Sequence, residues 1–177
     1  MAINKSLDIL LGDDGFTSVG SIKSDLLLTF VSLWKNSGKS QEKPITISRE
    51  ENLYTCEYAP LEDFSQINVR VVPTVEEMIE ESIKGNYDWI VTDMNYGSGR
   101  EMGCVQVINS IPEEVRDKAI TAVWTNEDNP RMRSTLDELE IDYIISPKLA
   151  GYSGTKAELF GKTIAEHYFH RDERGYE

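Results

Sequence analysis

Cysteine is scarce in this chain: the 177 residues contain two, Cys56 and Cys104, far apart and in no CxxC pattern. That argues against a disulfide framework and a thiolate zinc site. Long apolar runs are also lacking, and no stretch approaches the ~20 apolar residues of a membrane helix. The start, MAINKSLDILLGDD, has no basic region followed by a long apolar run and does not read as a signal peptide. Basic residues are few, 18 against 31 acidic ones, for a formal net charge of −13. A field of that sign repels phosphate backbones and anionic membranes, so neither nucleic acid nor membrane is an expected partner. It suits a divalent cation or a basic partner surface, although most of the charge needs no explanation beyond solubility. The expectation is a cytoplasmic protein from a reducing compartment.

What is present is a globular composition, 40% hydrophobic, with no repeats, low-complexity segments or linker. One domain over residues 1–177 is expected. Leu7–Leu11 is a short apolar run stopped by Gly-Asp-Asp-Gly, as in a buried parallel strand. Ile22, Leu26, Leu27, Phe30, Val31 and Trp34 recur at helical spacing, and the helix closes near Asn36-Ser37-Gly38. Residues 37–66 form an insertion with two readings, a hairpin of Pro44–Ile47 and Leu53–Cys56 around Arg49–Asn52, or a loose loop. From there the rhythm is regular. Ile67–Val72 reads as a strand. Thr74 and Glu77 form a capping box before a helix with Val75, Met78, Ile79 and Ile83 on its buried stripe. Tyr87–Thr92 is a strand ending at Asp93. A helix with Val105, Ile108 and Ile111 follows the glycine-rich loop Tyr96–Gly99. Ala119–Trp124 is a strand, Asn129-Pro130 starts a helix with Leu136 and Leu139, and Asp142–Ile145 is the last strand. Ala157, Phe160 and Ile164 mark the final helix. His167 and His170 on that helix read as surface residues rather than a metal pair or a phosphorelay histidine.

Five alternations of strand and helix imply parallel βαβ units, an α/β doubly wound sheet with helices on both faces. In such sheets the ligand sits at the carboxyl ends of the strands. Those ends carry Asp13 and Asp14, then Asp93, then Thr125 and Asn126, then Ser146, Pro147 and Lys148. Carboxylates held together repel one another unless a cation neutralises them, and a hard cation with oxygen ligands, Mg²⁺ above all, suits them.

The ordered set resembles the response-regulator receiver family of two-component signalling, the CheY-like superfamily, over residues 7–36 and 67–169. The acidic pair is LLGDDG, the acceptor strand YDWIVTDMNYG, the fourth strand AVWTN and the fifth DYIISPK. The resemblance implies a flavodoxin-like five-stranded parallel sheet in the order 2-1-3-4-5. It implies that Asp93 accepts a phosphoryl group, and that Asp13 or Asp14, with Asp93 and the backbone carbonyl of Asn95, holds Mg²⁺. Thr125 would bond the phosphoryl group and couple to the rotamer of Tyr143, and Lys148 would be the salt-bridging cation. Implied partners are a histidine kinase or phosphotransfer protein, a downstream protein docking at about residues 130–169, and a second copy in a homodimer. Three departures stand out. Ser146 occupies the usual lysine position; Lys148, two residues on, shares its face in a strand, while Pro147 between them, with a cis bond before it, stands against that reach. The loop after Asp93 has Gly97 where proline is common. Residues 37–66 are inserted. Two rival readings follow, a pseudo-receiver acting as a phosphorylation-independent interaction module, and a small Mg²⁺-dependent phosphatase. The phosphatase pattern wants a second Asp where Asn95 stands. On the leading reading the chain is no enzyme beyond its own phosphorylation and slow dephosphorylation.

Overall fold

The apolar run at Leu7–Leu11 forms strand β1 (Ser6–Gly12), and its last four residues are all buried. The computed structural model of the chain describes residues 5–14, 19–39, 45–57, 64–94, 103–127 and 130–169, without the side chains of 19–21, 131 and 132. β1 pairs in parallel with β4 (Gln66–Val72) on one side and β5 (Trp89–Asp93) on the other. β6 (Ile120–Trp124) and β7 (Tyr143–Ile145) continue the parallel sheet. These five strands stand in the expected 2-1-3-4-5 order. The sheet nevertheless has seven strands, not five, in the order β2-β3-β4-β1-β5-β6-β7. The described part of the insertion contains the hairpin β2 (Ile47–Glu50) and β3 (Leu53–Glu57), and β3 pairs antiparallel with β4. The two-residue connection Glu51-Asn52 places Glu51 at φ 51°, the left-handed region that tight hairpin turns require.

Seven helices connect and cover the described strands: α1 (Val19–Asn36), α2 (Val75–Lys84), α3 (Gly103–Ser110), α4 (Glu113–Arg116), α5 (Pro130–Glu138), α6 (Pro147–Ala150) and α7 (Lys156–Phe169). Side chains alternate between the faces of a strand, and β1 shows the consequence. Leu7, Ile9 and Leu11 join Trp89, Val91 and Trp124 beneath α1 and α7, while Leu10 joins Val72 and Ile90 beneath α2 and α3. α5 seals the second face over Met94 and Val123 through Leu136. Thr74 caps α2 as read from the sequence, accepting from the Glu77 N–H at 3.2 Å. The stripe of α2 is narrower than expected: Ser82 is buried and Ile83 is 51% exposed. Ser82 returns its hydroxyl proton to the Ile79 carbonyl, so this small residue fills the inward position without an orphaned donor. None of the described helices is long and apolar enough to cross a membrane.

α1 and α7 approach unusually closely. A Cβ placed on Gly161 would lie 1.9 Å from the Thr29 carbonyl oxygen and 2.8 Å from the Leu33 nitrogen. The Ser32 hydroxyl donates to the Glu158 carbonyl across the same contact. Glycine inside a helix usually costs stability relative to alanine; here that sign reverses. Gly161→Ala is expected to destabilise the fold by about 1–3 kcal/mol, the range for overpacked cores, as measured by urea unfolding. A gain in stability would show that the two helices can separate freely.

Candidate functional site

β1, β5, β6 and β7 end on one edge of the sheet, and that edge carries the candidate side chains. Asp13 extends the β1 ladder by one bond, its N–H donating to the Val72 carbonyl at 3.3 Å. Its side chain is buried at 5% exposure. Asp93 is the last residue of β5, partly exposed and in register with Trp124. The two carboxylates share one cation. Lys156 Nζ donates to Asp13 Oδ2 at 3.0 Å and to Asp93 Oδ1 at 3.2 Å. The same ammonium lies 4.2 Å from the centroid of the Trp124 ring. Asp14 is exposed in the turn beyond β1.

The pocket lysine is therefore Lys156 at the start of α7, and the expectation placed on Lys148 is corrected. A strand-like path through Ser146-Pro147-Lys148 would put residues two apart on one face, but the chain turns helical there instead. Ser146 is the N-cap of α6, accepting from the Leu149 N–H at 3.4 Å, and Pro147 takes the first helical position. Gly151 closes this single turn at φ 62°. Lys148 is left exposed, with no ion pair among the described residues, and the bond before Pro147 is trans. Ser146 itself is fully buried and donates to the Glu127 carbonyl at 3.2 Å, tying the loop after β6 to that after β7.

Thr125 follows β6 and is 2% exposed. Its N–H donates to the Ile145 carbonyl at 3.0 Å, and its Oγ1 accepts from the Glu127 N–H at 3.1 Å. The hydroxyl stands in the turn immediately beyond Trp124. Tyr143 stacks on Trp89, ring centroids 5.3 Å apart, and its hydroxyl meets His167 Nδ1 at 2.8 Å. His167 is half-buried, with edge-on ring contacts to Trp89, Tyr143 and Tyr168, rather than fully on the surface. Asn95, the loop glycines Gly97 and Gly99, and His170 lie outside the described residues.

Two further groups were not anticipated. Asp25 on α1 is half-buried, and burial pushes its carboxyl above the ordinary range; the Lys156 charge opposes that shift and Asp13 adds to it. Cys104, at the start of α3, is fully buried, and its thiol is pushed up to about 12 mainly by burial, with the Asp93 charge also raising it. It is a neutral packing group, not a competing nucleophile.

Among the described residues no group of three or more His, Cys, Asp or Glu side chains is placed to hold a metal. Mg²⁺ asks for less, commonly one or two carboxylates with water and substrate phosphate completing its shell. Asp13 and Asp93 supply hard oxygen donors of that kind, and Lys156 shows that a cation is held between them. The residues fit Mg²⁺.

No protein-family model matches this chain, and no curated protein matches it. Solved structures do resemble it. A CheY-like response regulator receiver domain protein from Methanospirillum hungatei JF-1 matches over 97% of this chain and 100% of its own, with a TM-score of 0.52 at 11% identity. The chemotaxis protein CheY4 of Vibrio cholerae matches over 90% of this chain and 97% of its own, with a TM-score of 0.51 at 14% identity. The receiver domain of a sensor histidine kinase from Pseudomonas aeruginosa PAO1, solved with a magnesium ion in its active site cleft, covers 94% of this chain and 99% of its own. Its TM-score is 0.51 at 12% identity. At these identities the likeness is one of fold: this chain has the architecture of CheY-like receivers, with the β2–β3 hairpin added at the β4 edge.

Two measurements probe the electrostatics of the pocket. Lys156→Met leaves two largely buried carboxylates facing each other and is expected to cost about 3 kcal/mol, as for other broken buried pairs. Mg²⁺ should raise the melting temperature of that variant more than that of the parent, and equal shifts would count against a cation site at Asp13 and Asp93. Asp25→Asn carries a pH signature. A carboxyl raised in the folded state contributes stability that is present below its unfolded value and lost as pH rises through the folded one. The substitution should therefore raise the melting temperature at neutral pH and leave it unchanged well below the ordinary value of 3.8.

Proposed function

We propose that this chain is a phospho-accepting receiver that takes a phosphoryl group on Asp93 and signals through a protein partner. The observation that carries the reading is the half-buried Lys156 ammonium shared by Asp13 and Asp93 at the carboxyl edge of a receiver-type sheet. The usual lysine position holds Ser146, and Lys156 supplies the missing cation from another element.

In the proposed reaction an Asp93 carboxylate oxygen forms a bond to phosphorus as the donor's bond to phosphorus breaks, the leaving donor keeping the electron pair. A histidine kinase, a phosphotransfer protein or a small acyl phosphate serves as donor. Asp13 and Asp93 would hold Mg²⁺, with the Asn95 backbone carbonyl as the further ligand the resemblance implies. When bound, Mg²⁺ supplies positive charge to the transferring phosphoryl oxygens. Lys156 gives up one carboxylate contact and places its ammonium against the new phosphoryl charge. Thr125 offers its hydroxyl from the turn beyond Trp124. Water later hydrolyses the acyl phosphate and restores Asp93. No other catalytic activity is proposed. The downstream partner docks on the surface of α5, β7 and α7, within about residues 130–169, where Ile144 is exposed on the edge strand; a second copy is one such partner.

A specific observation favours a second reading, the pseudo-receiver. Lys156 already neutralises both carboxylates, and the described residues offer no third acidic ligand. Intact mass after incubation with acetyl phosphate and Mg²⁺ separates the two. One phosphate adduct is expected, absent from Asp93→Asn and from metal-free samples. No adduct from acetyl phosphate or from a kinase that labels another receiver alongside would leave the interaction module as the function.

A further inference from the structure

Lys156 is the first residue of α7, where the positive end of the helix dipole disfavours a cation. Its side chain has four flexible bonds, and the ammonium is strongly hydrated. Two carboxylates attract it, yet most of its rotamers would carry the charge outward into water. Something must remove those alternatives, and Trp124 lies in position to do so. The ring is 1% exposed and lies 4.2 Å under the ammonium. Phe160, one turn further along α7, meets the same ring edge-on with centroids 6.1 Å apart. The Trp124 backbone is also tied to the acceptor strand, pairing in register with Asp93 and accepting from the Met94 N–H at 3.3 Å.

We infer that Trp124 is the positioning residue of this pocket: its indole face aims the Lys156 ammonium at Asp93. The inference rests on the receiver reading for its effect on phosphoryl transfer, but the arrangement belongs to the unmodified protein. Tryptophan is the strongest cation–π partner among the side chains, and the contact strengthens when water is excluded. One residue thereby joins the acceptor strand, the cation and the first turn of α7. Trp124 also directly precedes Thr125, whose N–H donates to the Ile145 carbonyl at 3.0 Å.

The test uses the full chain. With lysine ¹³C-labelled at the ε carbon, the unsubstituted protein should show one lysine ε-methylene signal moved upfield by the ring current and missing from Lys156→Arg. The absence of such a signal overturns the inference, whatever becomes of any core variant. Competitive acetylation with peptide mass readout then compares Trp124→Phe with Trp124→Leu. In the parent and the Phe variant, Lys156 should react several-fold more slowly than the exposed Lys148; in the Leu variant the difference should shrink markedly. A folded Leu variant that protects Lys156 as fully as the parent does would also overturn it. In acetyl phosphate labelling of Asp93, the Leu variant should be slower by roughly tenfold, the factor that about 1.4 kcal/mol of lost contact carries, while the Phe variant falls between the two. If the parent itself takes no phosphoryl group, the receiver reading falls and the two lysine measurements still decide the role of Trp124.

Discussion

The ammonium of Lys156 stands between two carboxylates that the sheet forces together. Asp13 and Asp93 end adjacent parallel strands, so their proximity follows from backbone pairing and not from any attraction between them. In a partly dehydrated pocket two like charges repel strongly unless a cation intervenes. The surroundings of Lys156 serve that requirement. The Thr155 N–H donates to Glu158 Oε2 at 2.8 Å, and the Glu158 N–H returns to Thr155 Oγ1 at 3.2 Å. This reciprocal cap fixes where α7 begins and so where the lysine starts. The Gly161 contact with α1 then fixes how closely the helix lies on the sheet.

Much of this is legible in the residues. Short apolar runs that stop at Asp, Thr or Ser mark the strands and their carboxyl edge, the alternation implies parallel pairing, and the strand order is what the resemblance to receivers implies. Asp13, Asp93 and Thr125 are found where that reasoning places them. Asp14 is left outside because a strand end delivers only one of two successive side chains inward.

The remainder depends on side-chain reach and on local turns. Lys156 lies 63 positions from Asp93 in the chain, and a four-carbon stem leaves no periodic trace. One physical signal was available, a lysine at the first position of a capped helix, opposed to the dipole unless an anion lies nearby. The Ser-Pro step after β7 could also have been read as a helix start, which would have removed Lys148 from the pocket. The hairpin was the harder element, since every residue of β2 after Ile47 is exposed and its pattern carries no buried face.

That hairpin also bears on how the chain folds. β2, β3 and β4 are consecutive in sequence and antiparallel, so their pairings close over short separations. Each parallel pairing instead needs a helical crossover, which closes a longer loop at greater entropic cost before any contact forms. Local pairings of this kind form fastest, and a sheet dominated by crossovers is slow to assemble. The inserted hairpin and β4 together therefore give the chain an early, local template, and β4 is the strand on which β1 must align. The hairpin thus braces the strand against which β1, the carrier of Asp13, takes its register.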